Sequence, residues 1–134
     1  MGMIIFQIFG IAEFMPAPTK FAIEHHSKDS IDILKLQGFL DAHTTPQLES
    51  ALGSLIEKSR YNIVVNFRDL DYISSAGLGA FMVFIEDIRS NGGDIKLAEM
   101  KAKVFTVFDL LGFPMLFQIV DTEQEAILNF QSAT

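Results

Sequence analysis

Asn66-Phe67-Arg68-Asp69-Leu70-Asp71-Tyr72-Ile73-Ser74-Ser75-Ala76-Gly77-Leu78-Gly79 joins a strand to a helix. The apolar Ile63-Val64-Val65 leads in, two adjacent hydroxyls follow, then two glycines, then the apolar run Ala80 to Ile88. A short apolar run bounded by polar residues, here Asn62 to Phe67, reads as a strand covered on both faces, hence central and parallel. Ser74 and Ser75 therefore stand where a helix begins, on a turn at the edge of a sheet. Any chemistry of this stretch concerns those two hydroxyls.

Downstream, Leu78, Phe81, Met82 and Ile85 form one stripe on the helix, and Val83 and Phe84 lie outside it. A helix apolar nearly all round is either fully buried or partly a contact surface. Ser90-Asn91-Gly92-Gly93 closes it by allowing positive φ, and Asp94 to Ala98 alternates like a strand. Lys101 to Leu111 resumes helical spacing through Val104, Phe105, Phe108 and Leu111, and Gly112 with Pro114 stops it. Phe117 to Val120 reads as a last short strand, and Thr122-x-x-Glu125 as a capping box opening a helix through Ile127 and Phe130.

Upstream, Phe21 to His25 and Ile31 to Gln37 read as a hairpin-like strand pair around Lys28-Asp29-Ser30. Gly38-Phe39-Leu40-Asp41 then leaves the sheet. Thr45 before Pro46 marks a helix start, with Leu48, Leu52, Leu55 and Ile56 on one face. Strands alternating with helices make this an α/β chain. Its sheet is mixed but mostly parallel, with four to five strands, an antiparallel opening hairpin and about four helices.

A chain of 134 residues, half of them apolar, has material for one core. Residues 19–134 are read as a single domain, preceded by an apolar leader, 1–18. The leader falls short of the ~20 residues of a membrane helix and is broken by Gln7, Gly10 and Glu13. No Lys or Arg precedes Lys20, so it lacks the basic region of a signal peptide. It is an added structural element, a contact through which the chain forms a homodimer or meets a partner, or sequence upstream of a start at Met15. The cytoplasm is the default location. With no cysteine there is neither a disulfide framework nor a thiolate metal site. The net charge of −7 and scattered basic residues argue against direct nucleic-acid binding and suit a more basic protein partner.

Catalytic readings of the two serines fail on specific residues. A nucleophile elbow needs glycine two residues before the serine, where Ile73 or Tyr72 stands, and His25, His26 and His43 all precede the serines instead of following them. A dinucleotide loop needs a third glycine where Met82 stands, and no G-K-[ST] occurs. His25 and His26 point to opposite faces of a strand, so they do not make a metal pair. No cofactor is implied. What the serines offer is a phosphate acceptor at a helix N-terminus, where free N–H groups and the dipole hold the added negative charge. Capping the helix is the commoner task of such a serine, and one residue can do both.

Leu70-Asp71-Tyr72-Ile73-Ser74-Ser75-Ala76-Gly77-Leu78-Gly79 resembles the phosphoacceptor loop of bacterial STAS domains, specifically of the anti-sigma factor antagonists. Gly38-Phe39-Leu40-Asp41 is similar to that family's glycine and aspartate after the second strand, and Asn91-Gly92-Gly93 to its turn before the next strand. The likeness covers about residues 19 to 130 in the same element order. It implies that Ser75 is the phosphorylated serine, with Ser74 the runner-up and Asp41 near it in space. The family often has Asp where Ser74 stands, and Ser or Thr where Ala76 stands; neither departure removes the acceptor.

The resemblance also implies a binding switch and not an enzyme. The unphosphorylated form binds an anti-sigma factor that is also a serine protein kinase, so freeing a sigma factor. Phosphorylation releases the complex, and a PP2C-type phosphatase resets it. The expected partner surface comprises Asp41, Ser74, Ala76, Gly77, Leu78, Val83 and Phe84. The alternative keeps the fold without the switch, as a STAS subunit of a signalling scaffold or lipid-transport complex, with Ser75 a cap and the helix a permanent interface.

Overall fold

Asp29 and Ser30 make the first reversal among the described residues, with Asp29 at φ 57, a left-handed conformation that its short polar side chain tolerates. They join β1 (Ala22–Lys28) to the antiparallel β2 (Ile31–Leu40) in the computed structural model, which describes residues 20–131. The readings placed on the leader 1–18 lie outside these residues.

A parallel pairing of β2 with β3 (Asn62–Ile73) follows, through the connecting helix α1 (Thr45–Glu57). The remaining elements are α2 (Ser75–Ser90), β4 (Asp94–Ala98), α3 (Ala102–Leu110), a 3₁₀ turn (Phe113–Met115), β5 (Gln118–Val120) and α4 (Glu123–Gln131). The strand order is β1-β2-β3-β4-β5, every pair after the hairpin being parallel. The α/β class, the five strands and the four helices match the sequence reading.

β1 runs on to Lys28, past the expected His25. Two further strands are longer than expected: Gly38 to Leu40 stays in the sheet, and β3 continues past Phe67 to Ile73. The cause is irregular pairing: the register runs from Lys35↔Asn66 to Phe39↔Tyr72, so β3 carries two extra residues over this stretch, and Gly38 sits at φ 91. Such bulges re-aim side chains and bend the strand. They also carry β3 directly into the serine turn.

Crossovers of one hand between consecutive neighbours put successive helices on the same face of the sheet. On that face Leu34, Leu36, Ile63, Val65, Phe67, Ile95 and Leu97 meet Leu48, Leu52 and Leu55 of α1, Leu78, Phe81, Ile85 and Ile88 of α2, and Val104 and Phe108 of α3. On the other face Ala126 and Ile127 of α4 cover Ile31, Ile33, Val64 and Ala98. Ile63, Val64 and Val65 are thus sealed from both sides, as their apolar run requires. Phe67 meets Phe108 edge-on at 5.4 Å and Phe108 meets Phe113 at 5.3 Å. Each such pair adds about 0.5–1.5 kcal/mol beyond area burial, tying β3 to α3 and its turn.

Several local expectations are corrected. Thr45 is the first residue of α1, not its cap; its hydroxyl donates to the Asp41 carbonyl at 2.6 Å, and Thr44 occupies the cap position. Met82 faces solvent, 45% exposed, because the inward stripe keeps Leu78, Phe81 and Ile85 but is completed by Ile88 instead of Met82. Phe105 and Leu111 of the α3 pattern are also exposed, leaving Val104 and Phe108 to anchor that helix. Thr122 caps α4 by accepting the Glu125 N–H at 3.1 Å, and Glu99, from the end of β4, accepts the Glu123 N–H at 2.9 Å.

Asp32, 1% exposed, is the polar centre of the hairpin. It accepts hydrogen bonds from Arg60 Nε at 2.7 Å and the Ser27 hydroxyl at 2.7 Å, and lies 2.8 Å from His25 Nε2. Burial alone would raise its carboxyl, but the bonds from Arg60, His25 and Ser27 outweigh it and hold the pKa below the ordinary 3.8. A depressed carboxylate contributes stability that is complete above its unfolded pKa and lost as pH falls through its folded one. Urea unfolding from pH 6 to pH 2 should therefore show an acid-labile component below about pH 4. Asp32→Asn should remove that component and cost roughly 3 kcal/mol at pH 7, because Arg60 loses its buried partner.

Gly77 is fixed by close approach. A Cβ there would lie 2.8 Å from Leu40 Cγ and 3.0 Å from the Leu40 carbonyl oxygen, whereas one at Gly79 would meet nothing within 4 Å. Gly77→Ala should lose about 1–3 kcal/mol in urea unfolding. Gly79→Ala should instead gain about 0.5 kcal/mol from helix propensity.

Candidate functional site

The β2–α1 turn is built from its own hydroxyls and carboxylate. Asp41 Oδ1 accepts the N–H groups of His43 at 2.9 Å and Thr44 at 3.2 Å, while Thr44 donates its hydroxyl to the Phe39 carbonyl at 2.9 Å and accepts the Asp41 N–H at 2.9 Å. Asp41, half-buried, is thus committed to shaping its loop. Leu40 connects this loop to the serines, since its carbonyl accepts the Ser74 N–H at 3.0 Å and its side chain fills the space left by Gly77. The Asp41 loop and the Ser74–Ser75 turn are therefore held side by side.

Ser74 takes the cap position of α2, at φ −102 and ψ 170, and the Leu78 N–H bonds to its carbonyl at 3.2 Å. Its side chain makes no capping bond, and no acidic residue stands in the first turn. Ser75 and Ala76 are exposed at this open, electropositive end of a 16-residue helix. Gly77 and Leu78, expected on the partner surface, are instead buried against Leu40 and Ile73 and within the core; they position the turn without facing outward. Val83 is 64% exposed, as expected for a residue outside the stripe. Phe84 is half-buried, packing toward Gly53 of α1. Met82 replaces it as the second exposed apolar side chain of the helix.

Two aromatic residues flank the turn without having been anticipated. Phe39 and Tyr72 are register partners at the ends of β2 and β3, with ring centroids 5.5 Å apart and exposures of 38% and 48%. Aromatics within strands ordinarily read as core, but here alternation points Phe39 and Tyr72 away from the buried Leu40 and Ile73 that follow them. Lys101, the residue before α3, pairs with Asp71, four residues before Ser75. The Lys101 hydrogen bond holds the Asp71 carboxyl below its ordinary value, with the charges of Lys101 and Lys103 acting in the same direction.

Ser27, His25 and Asp32 meet on the hairpin, but not as a catalytic relay. The same His25 Nε2 faces both Asp32, at 2.8 Å, and Ser27, at 3.4 Å, and Ser27 gives its proton to Asp32. A relay requires the imidazole to bridge the two through different nitrogens. His26 turns the other way, to Glu24 at 2.9 Å. Among the described residues no group of three His, Asp or Glu is arranged to hold a metal ion, and no helix is long and apolar enough to cross a membrane.

The fold that carries this geometry is shared with known proteins. The family model of the STAS domain matches residues 22–126. The chain is 32% identical over 105 residues to the Bordetella bronchiseptica protein "Putative anti-sigma factor antagonist BtrV", covering 78% of this chain and 90% of that one. An anti-sigma factor antagonist from Mycobacterium paratuberculosis superposes with a TM-score of 0.79 at 19% identity, over 88% of this chain and all of the other. The anti-sigma factor antagonist SpoIIAA in its unphosphorylated form superposes with a TM-score of 0.72 at 23% identity, over 86% and 99%. The structure of the Bacillus SpoIIAA in its phosphorylated form gives 0.64 at 23% identity, over 83% and 99%. The chain belongs to the STAS domain family and, within it, to the bacterial anti-sigma factor antagonists.

Proposed function

We propose that this chain is a phosphorylation-controlled protein-binding switch whose acceptor is Ser75. Unphosphorylated, it sequesters an anti-sigma factor that is also a serine protein kinase, and so frees a sigma factor. Phosphorylated, it releases that partner until a PP2C-type phosphatase restores the hydroxyl. The observation that carries this reading is the exposed Ser75 hydroxyl on the open N-terminus of α2, locked beside the Asp41 loop in a chain whose relatives are named for antagonising anti-sigma factors.

The chemistry belongs to the partner. Ser75 Oγ attacks the γ-phosphorus of kinase-bound ATP, the bond to the β,γ-bridging oxygen breaks, ADP leaves, and the hydroxyl proton passes to a base on the kinase. This chain supplies an accessible nucleophile on a rigid turn. Binding then rests on Ser74, Ser75 and Ala76 at the helix start, the Asp41 loop beside them, and Val83 farther along α2, with the half-buried Phe84 supporting it. A dianion at the rim of that contact is desolvated by the partner and repelled by its acids. A loss of about 3 kcal/mol in the phosphorylated state corresponds to more than a hundredfold in affinity.

Incubation with the cognate kinase and ATP, followed by mass spectrometry, should place a single phosphate on Ser75. Phosphate on another residue, or none, would overturn the assignment. Ser75→Ala should block phosphorylation while leaving partner binding intact, and Ser75→Asp should lower affinity at least a hundredfold with an unchanged circular dichroism spectrum. Val83→Glu should weaken the unphosphorylated complex about tenfold or more. Its melting temperature should stay close to that of the wild type, because the side chain is mostly exposed in the free chain.

A further inference from the structure

Ser74 occupies a position where a serine side chain ordinarily bonds the helix, in the extended conformation that allows it, and yet its side chain makes no such bond. Its Oγ is sealed from solvent and has no partner, the one such side-chain atom among the described residues. Buried hydroxyls are almost always hydrogen-bonded, so an exception points to a partner absent from this state. The Ser74 backbone has no such freedom: its N–H is held by Leu40 and its carbonyl by Leu78. What remains movable is the single Cα–Cβ torsion. The first-turn N–H groups that a capping oxygen would have satisfied are left open as well, with no acid in the first turn of the helix.

We propose that Ser74 is a positioning residue for the phosphorylated state, its unpartnered hydroxyl donating to a phosphate on Ser75 that the open first turn of α2 also holds. This rests on Ser75 as the acceptor. A phosphate there carries three acceptor oxygens one residue from the orphaned donor and next to the free N–H groups. Rotation of the Ser74 side chain gives the hydroxyl its missing partner, and the phosphate takes the place of the absent cap. The modified chain is then more stable than the unmodified one. An aspartate at position 74 would do the opposite, capping the helix in the unmodified chain and repelling the phosphate.

The test uses the full chain with phosphoserine installed at position 75 by genetic encoding, so that it does not depend on any kinase. Failure of a kinase to modify Ser75 would count against the proposed function alone. The phosphorylated wild type should melt about 3 °C above the unphosphorylated one. Ser74→Ala should leave the unphosphorylated melting temperature unchanged or raised, unlike an ordinary cap removal, and should abolish most of the gain on phosphorylation. Phosphorus NMR should place the second phosphate pKa below its ordinary value of about 6, moving up by roughly half a unit in Ser74→Ala and farther in Ser74→Asp. An undiminished gain and an identical titration in Ser74→Ala would overturn the proposal. So would a loss of stability in the unphosphorylated Ser74→Ala chain, since it would show that the hydroxyl already had a partner.

Discussion

The contact between the end of β2 and the first turn of α2 is the constraint on which the rest depends. One carbonyl, that of Leu40, receives the Ser74 N–H, and one missing methyl, that of Gly77, lets the helix come down onto the Leu40 side chain. With these two features the Asp41 loop and the serine turn form one rigid unit. Without them, Ser75 would sit on a loop free to vary, and a covalent mark on it would have no fixed relation to the helix behind. The residues that touch a partner and the residues that aim them are therefore different sets. Gly77 and Leu78 belong to the second.

Much of this was legible in the sequence because its signals are local. The apolar run Ile63-Val64-Val65, the turn at Asp29-Ser30, the glycine at position 92 with φ 85, and the Thr122 cap each depend on a few neighbouring residues. What was not legible depends on pairing between distant segments. The two extra residues of β3 have no signature of their own; they exist only relative to β2, and they bring Tyr72 into register with Phe39. Met82 was misplaced because a helix apolar nearly all round has no single stripe to read, and the buried face is chosen by where the sheet lies. The Asp32 network reaches across 28 residues to Arg60, beyond any spacing rule.

Electrostatics divide the molecule into a committed part and an uncommitted one. Asp32 is fully engaged by Arg60, Ser27 and His25, and Asp71 is paired with Lys101, so these charges stabilise particular geometries. The start of α2 has an electropositive end and no counter-charge in its first turn. A helix start with no acid in its first turn, beside hydroxyls, is chemically suited to gaining negative charge later, and the core beneath it needs no rearrangement for that.

The strand order has a consequence for how such a chain is made. Because spatial order equals chain order, each parallel pairing closes over a single crossover, and the entropy of closing it grows only slowly with crossover length. No strand must wait for a distant segment to be inserted between it and its neighbour. The β1–β2 hairpin, α1 and β3 together hold every residue of the Leu40 side of the site, and the serine turn follows directly from β3. As the chain emerges during synthesis, the site's framework is thus complete in sequence before β4, α3 and β5 exist.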